Sequence, residues 1–91
     1  MKFGKRITSK NFILFIQKNE SPFHRLGIVV KKEVGMATYR NRIRRYLREF
    51  FRLHKGQIGG ATFDLVILVK KGCKINRYGE AEEELKGVLI S

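Results

Sequence analysis

Ninety-one residues make one domain, long enough to bury a single modest core without help from disulfides or metal. The apolar content of 43% is ordinary for a globular chain. No apolar run approaches the ~20 residues of a membrane span, and a lone cysteine, Cys73, excludes an internal disulfide. Twenty basic residues against eight acids give a net charge of +12. The imbalance is sharper over residues 1–77, where nineteen basic residues face four acids, a net of +15. Self-repulsion of that size opposes compaction and is explained by a polyanionic partner. Nucleic acid leads, with an anionic membrane surface second. The start, MKFGKRITSK, is basic but lacks the apolar stretch of a signal peptide, so the expected location is the cytoplasm.

In chain order, residues 1–10 are polar and basic, an arm or an edge strand. NFILFIQ, residues 11–17, is a short apolar run of strand length. KNESPF breaks it with turn residues. LGIVVKK, residues 26–32, reads as a second strand rich in β-branched side chains. EVGMATY follows, and Gly35 marks a loop or bulge ahead of a helix from Tyr39 to about Lys55. KGQIGG stops that helix with three glycines in five residues. TFDLVILVKKG reads as a strand apolar enough to be buried on both faces. The chain closes with a helix over EAEEELKGVLI, capped by Asn76, with its acids near the positive end of the dipole. The order is β-β-α-β-α with an optional N-terminal strand. The strand–helix–strand crossover requires a parallel pair. The predicted fold class is a single α+β domain over residues 1–91, a two-layer sandwich of helices on one sheet.

The segment YRNRIRRYLREFFR, residues 39–52, carries six arginines and one acid, Glu49. At ~100° per residue, Ile43, Leu47, Phe50 and His54 share one stripe with Tyr46 and Phe51 at its flanks, a core-facing pattern. Arg40, Arg44 and Arg48 form a ridge beside it; Asn41, Arg45 and Arg52 continue that side, and Arg42 lies further round. A solvated face would mix signs and use lysine. Arginine used six times, and lysine never, points to a fork of donors matched to phosphate. A nucleic-acid backbone is the expected partner. Asn41 either reads a base edge or a 2′-hydroxyl, or merely starts the helix.

Lys32, Gly35, Ala37, then Arg40-Asn41-Arg42-Ile43-Arg44-Arg45, Leu47-Arg48-Glu49 and Arg52 together resemble the signature of the bacterial ribonuclease P protein subunit, over roughly residues 10–90. The resemblance implies an α/β sandwich like the second domain of ribosomal protein S5, with a left-handed crossover around the arginine helix, against the usual right-handed rule. It implies a partner in a large catalytic RNA that removes the 5′ leader of precursor transfer RNA. The chemistry would reside in the RNA with magnesium bound mainly there, and no catalytic or metal-binding residue is expected in the protein. The protein alone is expected to be a monomer. Carried over by position, Lys32, Arg40, Asn41, Arg42, Arg44, Arg45, Arg48 and Arg52 would bind RNA. Phe15, Asn41, Arg44 and Arg48 would border the leader cleft, Phe15 as a stacking platform; plain core packing is the other reading of Phe15. Lys70 and Lys71 end a strand as basic residues do in that family, touching phosphate or simply solvated. Two departures stand out. Family members begin with a helix ahead of the first strand, which this chain is expected to lack, and Glu33 stands where a second basic residue is common.

Other chemistries find little support. Cys73 sits in a basic loop whose lysines could lower its pKa, but it has no paired base or second cysteine; His24 and His54 are far apart, and Asp64 and Glu49 are isolated acids. The alternatives are a ribosomal-type RNA-binding protein without a part in cleavage, a basic amphipathic helix on a membrane, and a DNA-binding regulator. The membrane reading would spend the apolar residues that the core needs. The regulator would want a dimer surface or a preceding helix.

Overall fold

The computed structural model describes residues 4–58 and 61–90. Four strands, β1 (Lys5–Thr8), β2 (Phe12–Lys18), β3 (Arg25–Val29) and β4 (Phe63–Val69), form one sheet in the order β1-β2-β4-β3. The β1–β2 and β2–β4 pairs are antiparallel and β3–β4 is parallel. The long helix α1 (Ala37–Ile58) makes the crossover between the parallel pair, and α2 (Tyr78–Leu89) closes the fold. The optional N-terminal strand is present as β1. Gly4, just before it, is dictated by packing: a Cβ there would lie 2.0 Å from the Ile16 carbonyl oxygen on β2.

The strands alternate with period two. Phe12 and Leu14 of β2, with Phe63, Leu65, Ile67 and Val69 of β4, are buried. They share one core with Ile43, Leu47 and Phe50 of α1 and Ala81 and Leu85 of α2. The odd-numbered positions of β2 and the even-numbered positions of β4 face the other way. There Phe15 and Val66 are 41% and 37% exposed. The expectation that β4 is buried on both faces is therefore corrected: both helices lie on one side of the sheet.

Other boundaries shift for local reasons. β3 ends at Val29, and the chain turns at once through a single 3-10 turn, Lys32–Val34, closed by Val34 N–H to Lys31 O and Gly35 N–H to Lys32 O. Lys32 thus lies in a turn rather than on a strand. Gly35 is required by a close approach, because a Cβ would meet the Tyr39 ring at 3.0 Å. Helix α1 starts at Ala37, so Asn41 does not begin it; the reading of Asn41 as a helix start is set aside. The helix runs through Gly56 to Ile58, which packs against the core. Asn76 does not cap α2 with its side chain. The Glu80 carboxylate reaches back to accept the N–H groups of Asn76 and Arg77 at 2.8 and 3.0 Å.

Candidate nucleic-acid interface

On α1, burial follows angle. Ile43, Leu47 and Phe50 are fully buried. Arg40 and Arg44, at the margin of that stripe, are half-buried, while Asn41, Arg42, Arg45, Arg48 and Arg52 are exposed. Several of these side chains already have partners. The Arg40 Nε donates to Gly35 O at 3.1 Å, fastening the helix to the turn before it. Arg44 donates to Asn41 Oδ1 at 3.1 Å, leaving the Asn41 amide nitrogen to face outward. Arg52 forms a forked pair with Glu49, at 3.1 and 2.7 Å, and its guanidinium pushes that carboxyl below the usual range. Arg42, Arg45 and Arg48 make no side-chain hydrogen bond among the described residues. Their donors are available to phosphate, and removing them from water costs no internal contact.

The helix that carries this face is held rigidly. Tyr39 donates its hydroxyl to Ile75 O at 2.8 Å, and burial raises its pKa above the ordinary tyrosine value. Tyr46 donates to Asn76 O at 3.3 Å. His54, on the core-facing stripe, stacks on Phe50 with ring centroids 4.8 Å apart and places Nε2 2.8 Å from Glu82 Oε2 on α2. A carboxylate only accepts, so Nε2 carries the hydrogen. Glu82 also accepts the Tyr78 hydroxyl at 3.2 Å. A second clamp joins α2 to the β1–β2 turn. Glu84 accepts the Asn11 backbone and amide nitrogens, both at 2.7 Å, and the Ser9 hydroxyl.

The open face of the sheet is a different surface. Phe15 stands there, so it is not a core residue. Its cross-strand neighbour Arg6 sets its guanidinium carbon 5.9 Å from the ring centroid. Gly4, Lys5, Arg6, Phe15, Ile16, Gln17, Asp64 and Val66 line a groove of about 590 Å³. Arg25 grips Asp64 at its edge with Nε and Nη2, 2.7 and 2.8 Å away, and Asn19 Nδ2 adds a third bond at 2.8 Å. These donors hold the Asp64 carboxyl below the usual range. Toward the opposite ends of β2 and β4, Ile13 and Leu68 lead into a smaller hollow of about 370 Å³ rimmed by Lys31, Glu33, Lys70 and Lys71. Lys71 is exposed, whereas Lys70 donates to Ser9 O at 2.7 Å.

The predicted residues therefore fall in two places. Asn41, Arg44 and Arg48 ride on α1, and Phe15 lies on the face of the sheet turned away from that helix. Arg6, Gln17, Lys31 and Val66 belong to the open face and were missed. Period two puts Gln17 on the face of Phe15 and Val66 on the face of Asp64, but which face stays open follows only from the helices. Arg6 follows only from the register of β1. Among the described residues no three His, Cys, Asp or Glu side chains gather to hold a metal ion, and no helix is long and apolar enough to cross a membrane.

An arginine face locked to a small core, with a basic-rimmed aromatic groove on the far side of the sheet, defines an RNA-binding α+β protein. The comparisons give the family. A family model for ribonuclease P matches residues 1–91. The ribonuclease P protein component of Syntrophus aciditrophicus is 42% identical over 88 residues, covering 97% of this chain and 72% of the relative. That of Thermotoga maritima is 43% identical over 70 residues, covering 77% of this chain, which spans 59% of that relative. The structure of the Thermotoga maritima protein bound to a fluorophenyl thiourea superposes with a TM-score of 0.82 at 35% identity, over 92% of this chain and 81% of that one. The Staphylococcus aureus protein gives 0.79 at 30% identity, over 94% and 78%. The chain belongs to the ribonuclease P protein family, and its role is the family's, a protein subunit of the endoribonuclease ribonucleoprotein of transfer RNA 5′ processing.

Proposed function

We propose that the two surfaces divide the work of that subunit. The α1 face, with Arg42, Arg45 and Arg48 as its open donors, Arg40, Asn41, Arg44 and Arg52 around them and Lys32 at its approach, binds the catalytic RNA. The open sheet face, centred on Phe15, takes the single-stranded 5′ leader of precursor transfer RNA. Asn41, Arg44 and Arg48 border the leader's path where it leaves that RNA. The observation that carries this reading is the exposed Phe15 in a groove with its cross-strand neighbour Arg6 at the rim. Stacking on an aromatic beside a basic track is how unpaired strands are held without sequence readout. Magnesium is assigned to the RNA, whose phosphate oxygens are its preferred hard ligands. The protein contributes positioning and charge, and it acts in the cytoplasm.

The test reconstitutes the chain with a bacterial ribonuclease P RNA at low magnesium and follows release of the leader from precursor transfer RNA. Stimulated, accurate cleavage is expected. Phe15→Ala should weaken binding of the precursor but not of mature transfer RNA. Arg45→Ala and Arg48→Ala should weaken binding of the catalytic RNA itself. Equal losses for precursor and mature RNA on Phe15→Ala would overturn the assignment of the sheet face to the leader.

A further inference from the structure

A second basic strip lies beside α1, on the flank away from Arg44 and Arg48. At ~100° per residue, Tyr39, Arg42 and Tyr46 share one flank of the helix, and the connection between β4 and α2 runs along it. Tyr39 donates its hydroxyl to Ile75 O at 2.8 Å, and Tyr46 donates to Asn76 O at 3.3 Å. Burial raises the Tyr39 pKa, and the charge of Arg42 opposes that rise, which sets Arg42 beside the same connection. From the sheet side, buried Asn11 accepts the Lys74 backbone N–H through Oδ1 at 3.2 Å. Glu80 accepts the N–H groups of Asn76 and Arg77. The connection belongs to neither strand nor helix, yet it is fixed from three sides. Its packing falls to buried Cys73 and Ile75 and its capping to Glu80, so the fold has no use for the charges of exposed Lys74 and Arg77. Their side chains, like that of Arg42, make no hydrogen bond or ion pair among the described residues. The acids of this flank are engaged, Glu49 with Arg52 and Glu80 with the backbone.

We infer that Lys74 and Arg77, joined to the arginine face through Arg42, form a second phosphate track that takes a double-helical segment of the catalytic RNA. The inference rests on the reading of α1 as the surface for that RNA and widens its footprint across the β4–α2 connection. The aromatic residues of the strip decide for paired over unpaired RNA. The Tyr46 and Tyr78 rings meet edge to face, with centroids 6.2 Å apart and planes at 70°. Both are half-buried, and their hydroxyls donate to Asn76 O and Glu82 Oε2. Neither offers a free platform of the kind Phe15 makes on the sheet. Cations without a stacking face suit a helix whose bases are turned inward and whose phosphates and riboses meet the protein. Such contacts fix register and orientation without reading sequence. Tyr39, Tyr46 and Asn11 act as positioning residues: donors carried on a backbone already fixed lose little freedom on binding.

The experiment measures the affinity of the full chain for a bacterial ribonuclease P RNA between about 50 and 200 mM salt. The double variant Lys74→Ala/Arg77→Ala is compared with Lys18→Ala/Lys55→Ala, which removes the same charge from exposed positions elsewhere. The strip variant should lower the slope of log affinity against log salt by about 1.8, two contacts at about 0.9 each on a double helix. The control should stay near the wild-type slope. An unchanged slope in the strip variant, or equal drops in strip and control, overturns the inference. Amine-reactive labelling gives a second readout. Bound RNA should protect Lys74 and leave Lys55 reactive, and a Lys74 labelled equally fast in the free and bound protein also overturns it. Arg45→Ala/Arg48→Ala separates the two readings. A lowered slope there, with none in the strip variant, sinks the second track alone. Unchanged slopes in both remove the catalytic RNA from α1 altogether.

Discussion

At the scale of single residues, the six arginines of α1 are not equivalent, because their bonding inside the protein differs. Arg45 and Arg48 are exposed and without internal side-chain partners among the described residues, so truncation subtracts a phosphate contact and little else. Each Ala substitution should lower the slope of log affinity against log salt by about 0.7–0.9, with thermal stability unchanged. Arg40 is the contrast. Its bond to Gly35 O fastens the turn ahead of the helix, so Arg40→Ala should also destabilise the free protein by about 1 kcal/mol, read in urea titrations. Phe15 shows the reverse separation. Its ring is 41% exposed on the open face, so Phe15→Ala should leave stability within about 1 kcal/mol of wild type, while leader affinity falls by about 1–3 kcal/mol.

Among the elements, α1 joins stability to function. Leu47 and Phe50 are fully buried beneath the arginine face. Leu47→Ala should cost about 2–5 kcal/mol by opening a cavity, and RNA affinity should fall only to the extent that folded protein is lost. The α1–α2 seam adds a pH dependence. The His54 ring, with help from the Tyr78 hydroxyl, holds the Glu82 carboxyl below its ordinary value of 4.5. A depressed acid contributes stability that is present above its unfolded pKa and lost as pH falls through the lower folded value. Stability should therefore decline below about pH 4.5, and Glu82→Gln should flatten that decline in acid titrations of the melting temperature. The elements were mostly legible in the sequence because the α1 stripe and the strand runs are strongly periodic. What sequence missed was decided by tertiary contact. The helix passes Gly56, at a local cost of about 1 kcal/mol, because Ile58 still reaches the core. The strand run after Leu26 stops early because the 3-10 turn must deliver Gly35 against Tyr39. The α2 cap falls to Glu80, the third residue of the helix, whose carboxylate accepts the backbone N–H groups of Asn76 and Arg77.

For the whole molecule, composition alone reveals the partner class but not the distribution of its two surfaces. The apolar runs of β2 and β4 look alike on both faces in one dimension. Only the count of helices, two on one side of a four-stranded sheet, determines that Phe15 and Val66 remain open. That arrangement leaves a charge of +12 on a particle whose Cα radius of gyration is 12.7 Å. At low ionic strength, the mutual repulsion of these charges opposes folding, and the Debye length of about 10 Å at 0.1 M salt is comparable to the molecule's own radius. Added salt should therefore act with opposite sign on the two equilibria. The melting temperature of the free protein should rise as sodium chloride increases from about 10 mM to 200 mM, because screening relieves the repulsion. Over the same range, affinity for the catalytic RNA should fall, because each counterion released into a saltier solution gains less entropy. At saturating RNA the two effects meet. Ligand at a hundred times its dissociation constant stabilises the fold by about 2.7 kcal/mol, a gain that shrinks as salt loosens the complex. Melting curves with and without RNA should converge as salt increases, the free curve rising and the bound curve falling. Parallel curves would mean that the charge on this chain is neutralised by something other than the RNA.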